Sequence, residues 1–134
     1  MLKKVLIFIM AKNEKIKIGL VQASASRDLD ENLEKVAKLI SECAGKGADI
    51  VCLQELFAAR YFAQAESKEF FRLAEKIPGK IAYFLSNCAK KSNVFLIGGS
   101  MFEKGEDSKY YNTSLIFDKE GKIIGKYRKV HIPY

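Results

Sequence analysis

The chain has 134 residues, a formal charge of +7 at pH 7 and a composition that is 49% hydrophobic with only two prolines. A chain of this length makes one ordinary domain that buries about two-thirds of its unfolded surface, and the composition excludes an extended disordered or low-complexity protein. The lysines are scattered over the whole length instead of gathering in a stripe or arm, which fits a solvated surface and argues against a nucleic-acid-binding role.

Residues 1–14 place an apolar stretch, Val5 to Ala11, behind Lys3 and Lys4. That stretch is far too short for a membrane span of roughly 20 residues. It resembles a weak signal peptide, but no small-x-small cleavage site follows, and Lys12, Glu14, Lys15 and Lys17 come at once. A true start at Met10 is an equally simple account. The segment is read as an N-terminal extension, residues 15–134 as the domain, and the chain as cytoplasmic with no membrane partner.

Lys15 to Val21 alternates Ile16 and Ile18 before Leu20 and Val21, which predicts a first strand. Asp28 or Asp30 can cap the helix that follows, because an Asp side chain accepts free amide hydrogens of the first turn. Leu33, Val36, Ala37, Ile40, Cys43 and Ala44 then recur at three and four residues, up to Gly45-Lys46-Gly47. Ala48 to Gln54 is a continuous apolar run of strand length, the pattern of a strand buried on both faces. Strand, helix and strand in that order predict a right-handed crossover with parallel pairing.

Pro78-Gly79 opens a second helix with a face of Ile81, Phe84, Leu85, Cys88 and Ala89, and Val94 to Gly98 reads as the next buried strand. Tyr110 to Phe117 and Lys122 to Tyr127 flank Asp118-Lys119-Glu120-Gly121, a predicted β-hairpin with glycine at the turn. The fold class is therefore α/β, with helices covering a sheet. The order βαβαβ followed by a hairpin looks like half of a larger sheet protein.

Glu55 follows a buried strand, at the carboxyl end where open α/β sheets place ligands. A carboxylate there is costly unless it has a partner or a proton to move, and a structural ion pair meets that need as well as catalysis does. Lys129 leaves the strand Ile123 to Tyr127 within a charge run, which by itself suits a solvated edge. His131 lacks a second histidine or an acid at metal-ligand spacing, so a structural role is the simpler reading. Cys43, Cys52 and Cys88 are odd in number and widely spaced. They read as reduced core thiols rather than a disulfide framework, a zinc site or nucleophiles. Gly98-Gly99-Ser100 has no Gly-Lys-Ser/Thr after it and reads as a strand-ending turn, not a phosphate cradle.

Four segments in order, Ile18 to Gln22, Gln54 to Phe57, Tyr111 to Ser114 and Tyr127 to Pro133, resemble the N-terminal half of the carbon-nitrogen hydrolase (nitrilase) superfamily over residues 15–134. Leu53 to Phe57 with Arg60-Tyr61-Phe62 looks most like its N-carbamoylputrescine amidase branch, which acts in polyamine biosynthesis. The resemblance implies the N-terminal half of a four-layer α-β-β-α sandwich, assembly as a homo-oligomer, and no metal or organic cofactor. It also implies a Glu-Lys-Cys triad, with Glu55 as general base, Lys129 stabilising the oxyanion, and Tyr61 at the substrate. The family's cysteine lies several tens of residues beyond the lysine motif, past residue 134. The expectation is therefore a fragment of an amidase, inactive alone, whose partners are a small amide or carbamoyl substrate and the missing C-terminal half. A non-catalytic module that keeps the half-fold is the alternative.

Overall fold

The computed structural model describes residues 9–10, 15–62 and 68–131. The elements in chain order are β1 (Ile9–Met10), β2 (Ile16–Leu20), α1 (Leu29–Gly45), β3 (Ile50–Cys52), a short 3-10 helix (Lys68–Leu73), α2 (Lys80–Ser92), β4 (Phe95–Ile97), β5 (Met101–Lys104), β6 (Tyr110–Phe117) and β7 (Ile123–Arg128). Asp28 is the residue that caps α1, accepting from the Glu31 amide at 2.9 Å. Asp30 and Glu31 add negative charge to the positive end of the helix dipole. The α2 amino end has glycine at the cap and no side-chain cap of its own, and Glu75 Oε1 reaches it from outside, accepting from the Ile81 amide at 2.8 Å.

The strands form one mixed sheet. β2, β3 and β4 pair in parallel, with Ile18, Ile50 and Phe95 in one register and Leu20, Cys52 and Ile97 in the next. β4 and β5 both pair antiparallel with β6, at Ile116–Phe117 and Tyr110–Thr113 respectively. They are therefore one passage of chain along one edge of β6, broken at Gly98-Gly99-Ser100. β7 pairs along the other edge of β6, and β1 pairs antiparallel with β2. The hairpin turn is held by Asp118, whose Oδ1 accepts from the Glu120 and Lys122 amides at 3.1 and 2.8 Å. Among the described residues no helix is long and apolar enough to cross a membrane.

Among the described residues, helices cover one face of this sheet only. Val51, Leu96, Leu115 and Phe117 point to the α1 and α2 side and are fully buried with Leu33, Val36, Ile40, Ile81 and Leu85. Directly paired residues share a face. The opposite face therefore shows two apolar rows, Ile18–Ile50–Phe95 and Leu20–Cys52–Ile97–Ile116. Ile16 is 47% exposed and Phe95 39% exposed.

Of the expectations above, strand length is corrected. The runs 48–54 and 94–98 are apolar on both faces, but their strands span only Ile50–Cys52 and Phe95–Ile97, and only one face of each is fully covered. Leu115 and Phe117, on the apolar hairpin, lie in the core, while Ile116 and Tyr127 take the uncovered side. The 3-10 helix and β5 carry no usable period: one has only six residues, and the other reads Met-Phe-Glu-Lys with its glutamate buried.

The break at Gly98-Gly99-Ser100 is a packing requirement. Gly99 has φ +58°, and a Cβ there would stand 2.1 Å from the Gln54 carbonyl oxygen. Gly99→Ala is therefore expected to destabilise the fold by about 2 kcal/mol or more, read as a lower urea midpoint; a midpoint equal to the parent's would show that the two turns can separate freely.

Candidate functional site

Glu55 sits in the turn that leaves β3, and that turn is fixed from several directions. The Gln54 side chain bonds both the amide and the carbonyl of Ala23. The Gln54 carbonyl lies against Gly99, and the Leu56 amide donates to Ser100 Oγ at 3.0 Å. Leu56 adopts φ +49°, an unusual conformation for a branched side chain, which those contacts hold in place. Phe57 is buried beneath the turn, and the Ala58 carbonyl accepts from buried Asn32 of α1 at 3.0 Å. A carboxylate on so constrained a turn has a fixed origin.

Lys129 follows the last residue of β7, where its amide still donates to the Asn112 carbonyl at 2.9 Å. Alternation sends its side chain to the uncovered face of the sheet, with Asn112 of β6. Lys129 Nζ donates to Glu55 Oε1 at 2.9 Å, and Asn112 Nδ2 donates to the same oxygen at 2.7 Å. Among the described residues no donor is assigned to Oε2. Residues 74 positions apart in sequence thus meet at the carboxyl end of the parallel strands.

The electrostatics follow from that contact. The Lys129 hydrogen bond, helped by Asn112 and opposed by partial burial, holds the Glu55 carboxyl below its ordinary range. The same bond holds the Lys129 ammonium above its own, with the Tyr61 and Tyr127 phenols acting in the same direction. The side chains of Glu55 and Lys129 are 44% and 35% exposed, so solvent screening leaves the pair little weight in stability. Its sign is definite. The Glu55 share is present above the unfolded pKa and lost as pH falls through the folded one; the Lys129 share is present below its unfolded pKa and lost as pH rises through the folded one.

Tyr61 is exposed and stands near enough to Lys129 to influence its charge. His131 is exposed beyond β7. The three cysteines are free thiols: Cys43 and Cys88 are buried under the helices, and Cys52 donates to its neighbour's carbonyl, Leu53 O, at 3.6 Å. Burial pushes all three thiols up, Cys88 to about 11, which leaves them protonated and poorly nucleophilic. Among the described residues no group of His, Cys, Asp and Glu is arranged to hold a metal. Sequence reasoning assigned no role to Asn112 or Glu103; the one signal for Asn112 was its place in Tyr111-Asn112-Thr113-Ser114.

Comparison with known proteins gives a consistent picture. The sequence model of the carbon-nitrogen hydrolase family matches residues 17–134. An omega-amidase of Xenopus laevis is 42% identical over 118 residues, which are 88% of this chain and 41% of that protein. The N-carbamoylputrescine amidase of Solanum lycopersicum is 36% identical over 123 residues, 91% of this chain and 40% of that protein. The crystal structure of a carbon-nitrogen hydrolase from Helicobacter pylori G27 superposes with a TM-score of 0.81 at 36% identity, covering 88% of this chain and 40% of that one. The chain spans about two-fifths of the length of the curated relatives it matches.

With Lys129→Met, the Glu55 carboxyl carbon is expected to titrate at higher pH than in the parent, by 13C NMR on the protein in solution or sedimented. An unchanged midpoint would mean that the ion pair is not formed.

Proposed function

The chain belongs to the carbon-nitrogen hydrolase family, and on that premise we propose that it supplies the general base and the oxyanion cation of an amidase acting on a small molecule. The observation that carries this reading is the 2.9 Å contact of Lys129 with Glu55, on a fixed turn at the end of the parallel strands. Glu55, held ionised, takes the proton of a cysteine thiol. The thiolate then attacks the carbonyl carbon of the substrate, and Lys129, which keeps its charge at neutral pH, faces the oxygen that becomes negative. The carbon–nitrogen bond breaks, Glu55 returns its proton to the leaving nitrogen, and water activated by Glu55 releases the thioester. The scheme uses no metal or organic cofactor. Tyr61, at the rim, is proposed to contact the substrate.

The nucleophile is assigned to a cysteine in the part of the family's length that these residues do not span. That half also answers the uncovered sheet face, whose apolar rows need a second layer, and the outer edge of β7, which is unpaired among the described residues. The complete protein is proposed to be a cytoplasmic homo-oligomer, a setting in which three free thiols remain reduced.

The substrate class follows from shared chemistry. An ω-amide and an N-carbamoyl amine both present a terminal carbonyl bearing NH2, and attack on either releases ammonia. The N-carbamoylputrescine reading, with its place in polyamine biosynthesis, is supported by Leu53 to Phe57 and Arg60 to Phe62 and by the tomato relative. The ω-amide reading is supported by the Xenopus relative.

Two measurements test this. Ammonia release from N-carbamoylputrescine and from ω-amides should be absent for the 134-residue chain and present when the complementary half is co-expressed. In that complex Glu55→Gln should lower kcat by about a thousandfold or more. Turnover by the chain alone that Cys52→Ser abolishes would refute the assignment of the nucleophile, and a complex without turnover would favour a non-catalytic module. Sedimentation should find the chain self-associated alone and discrete with its complement; a monodisperse monomer with a cooperative melt would show that the uncovered face needs no partner.

A further inference from the structure

Behind Asn112 and Lys129, on the helix side of β6 and β7, stands a second set of charges that the proposed chemistry does not use. Glu103 of β5 is only 2% exposed. Its carboxylate accepts from Arg128 Nε at 2.9 Å and Nη2 at 2.7 Å, from Lys126 Nζ at 2.6 Å and from the Thr113 hydroxyl. The Arg128 guanidinium lies 3.8 Å from the centre of the Tyr111 ring, and the Tyr111 hydroxyl donates to Asp107 Oδ2 at 2.6 Å. Alternation puts the two sets back to back: Tyr111 and Thr113 flank Asn112 along β6, and Arg128 immediately precedes Lys129.

We propose that Glu103 is a positioning residue for the Glu55–Lys129 pair: by gripping Arg128 and Thr113 from behind, it sets where Lys129 and Asn112 meet Glu55 on the front. β7 ends at Arg128, and the next residue would otherwise be the first to fray from the ladder. The two-pronged grip of a carboxylate on a planar guanidinium fixes direction as well as distance. Stability alone is a weak reason for such a cluster, since apolar side chains of similar volume join strands equally well. The inference rests on the assignment of Glu55 and Lys129 to amidase chemistry, but its test does not use turnover.

Two effects of Glu103→Gln on Glu55 have opposite signs. Losing the Glu103 charge leaves Lys126 and Arg128 uncompensated, which would make Glu55 easier to ionise and lower its midpoint. Releasing Lys129 weakens the bond that holds Glu55 ionised and raises the midpoint. Among the described residues, the groups facing Glu55 are Lys129 and Asn112, and those acting on Lys129 besides Glu55 are Tyr61 and Tyr127. The direction of movement therefore separates positioning from field.

The experiment is a 13C-carboxyl NMR titration of Glu55 in the full chain, in solution or sedimented, for the parent, Glu103→Gln, Arg128→Lys and Lys129→Met. Glu103→Gln is expected to raise the midpoint by at least about half the rise produced by Lys129→Met. Arg128→Lys, which keeps the charge and loses the fork, is expected to give a smaller rise. An unmoved or lowered midpoint in folded Glu103→Gln overturns the proposal; where that variant does not fold, Arg128→Lys decides by the same sign. A raised midpoint in a protein whose complete assembly hydrolyses no amide would leave the clamp standing and remove the chemistry from it.

Discussion

Among the described residues, two α-helices lie against one face of a seven-stranded sheet, and that one-sidedness decides where the other features go. On the covered side, Phe57, Phe117, Leu96, Leu85 and Ile40 are each out of contact with water, and burial of such a side chain is worth roughly 1.5–3 kcal/mol. That core holds β3, β4 and β6 at fixed separation. The Glu55 turn is an extension of it, because Phe57 and Asn32 tie the turn to α1 while Gly99 and Ser100 tie it to the β4–β5 break. Lys129 and Asn112 then fall on the other face by strand alternation, where they meet Glu55 on its turn. The order of causes runs from helix packing to sheet geometry to the site.

The two charged clusters divide labour in the same way. Glu103 is buried, and although burial pushes its carboxyl up, Arg128, Lys126 and Thr113 more than offset that and hold it near a pKa of about 2. Against an ordinary value of 4.5, such a shift favours the folded state above the unfolded pKa, and that preference is lost as pH falls through the folded one. The half-exposed Glu55–Lys129 pair is worth far less. The buried charges are thus fixed behind the sheet, and under the proposed reading the solvent-reached pair in front is the one that can change partner and protonation.

Much of this was legible from residue patterns. The α1 and α2 stripes kept their period because a helix packed on a sheet repeats its contacts every three to four residues, and the β6–β7 hairpin was marked by Asp118 and Gly121. Glu55 stood out as an acid directly after an apolar run. Strand length was not legible: Leu53 and Gln54 are as compatible with extension as Val51, and the chain turns there through contacts with Ala23, Asn32, Gly99 and Ser100, all distant in sequence. The face taken by Leu115 and Phe117 was hidden too, since Ile116 between them is equally apolar and composition alone cannot choose the buried parity. Asn112 and Glu103 act through partners on other strands, and no local signal reports a contact between β5 and β7 or between β6 and the Glu55 turn.

The apolar rows on the uncovered face bear on the proposed chemistry as well as on assembly. In the half-fold, solvent reaches Glu55 and Lys129 and screens them, so that the ammonium would give a developing oxyanion little more than bulk water does. A second layer laid over Ile18, Ile50, Phe95, Ile97 and Ile116 would remove that water from the strand ends where the pair stands. The same fixed cation would then act in a low-dielectric setting, with no solvent reorganisation when the charge appears. Under the proposed reading, covering the sheet does two things in one event: it brings the thiol, and it makes the Lys129 charge effective. On that reading, the face left uncovered here is the one whose covering would make the charged pair effective.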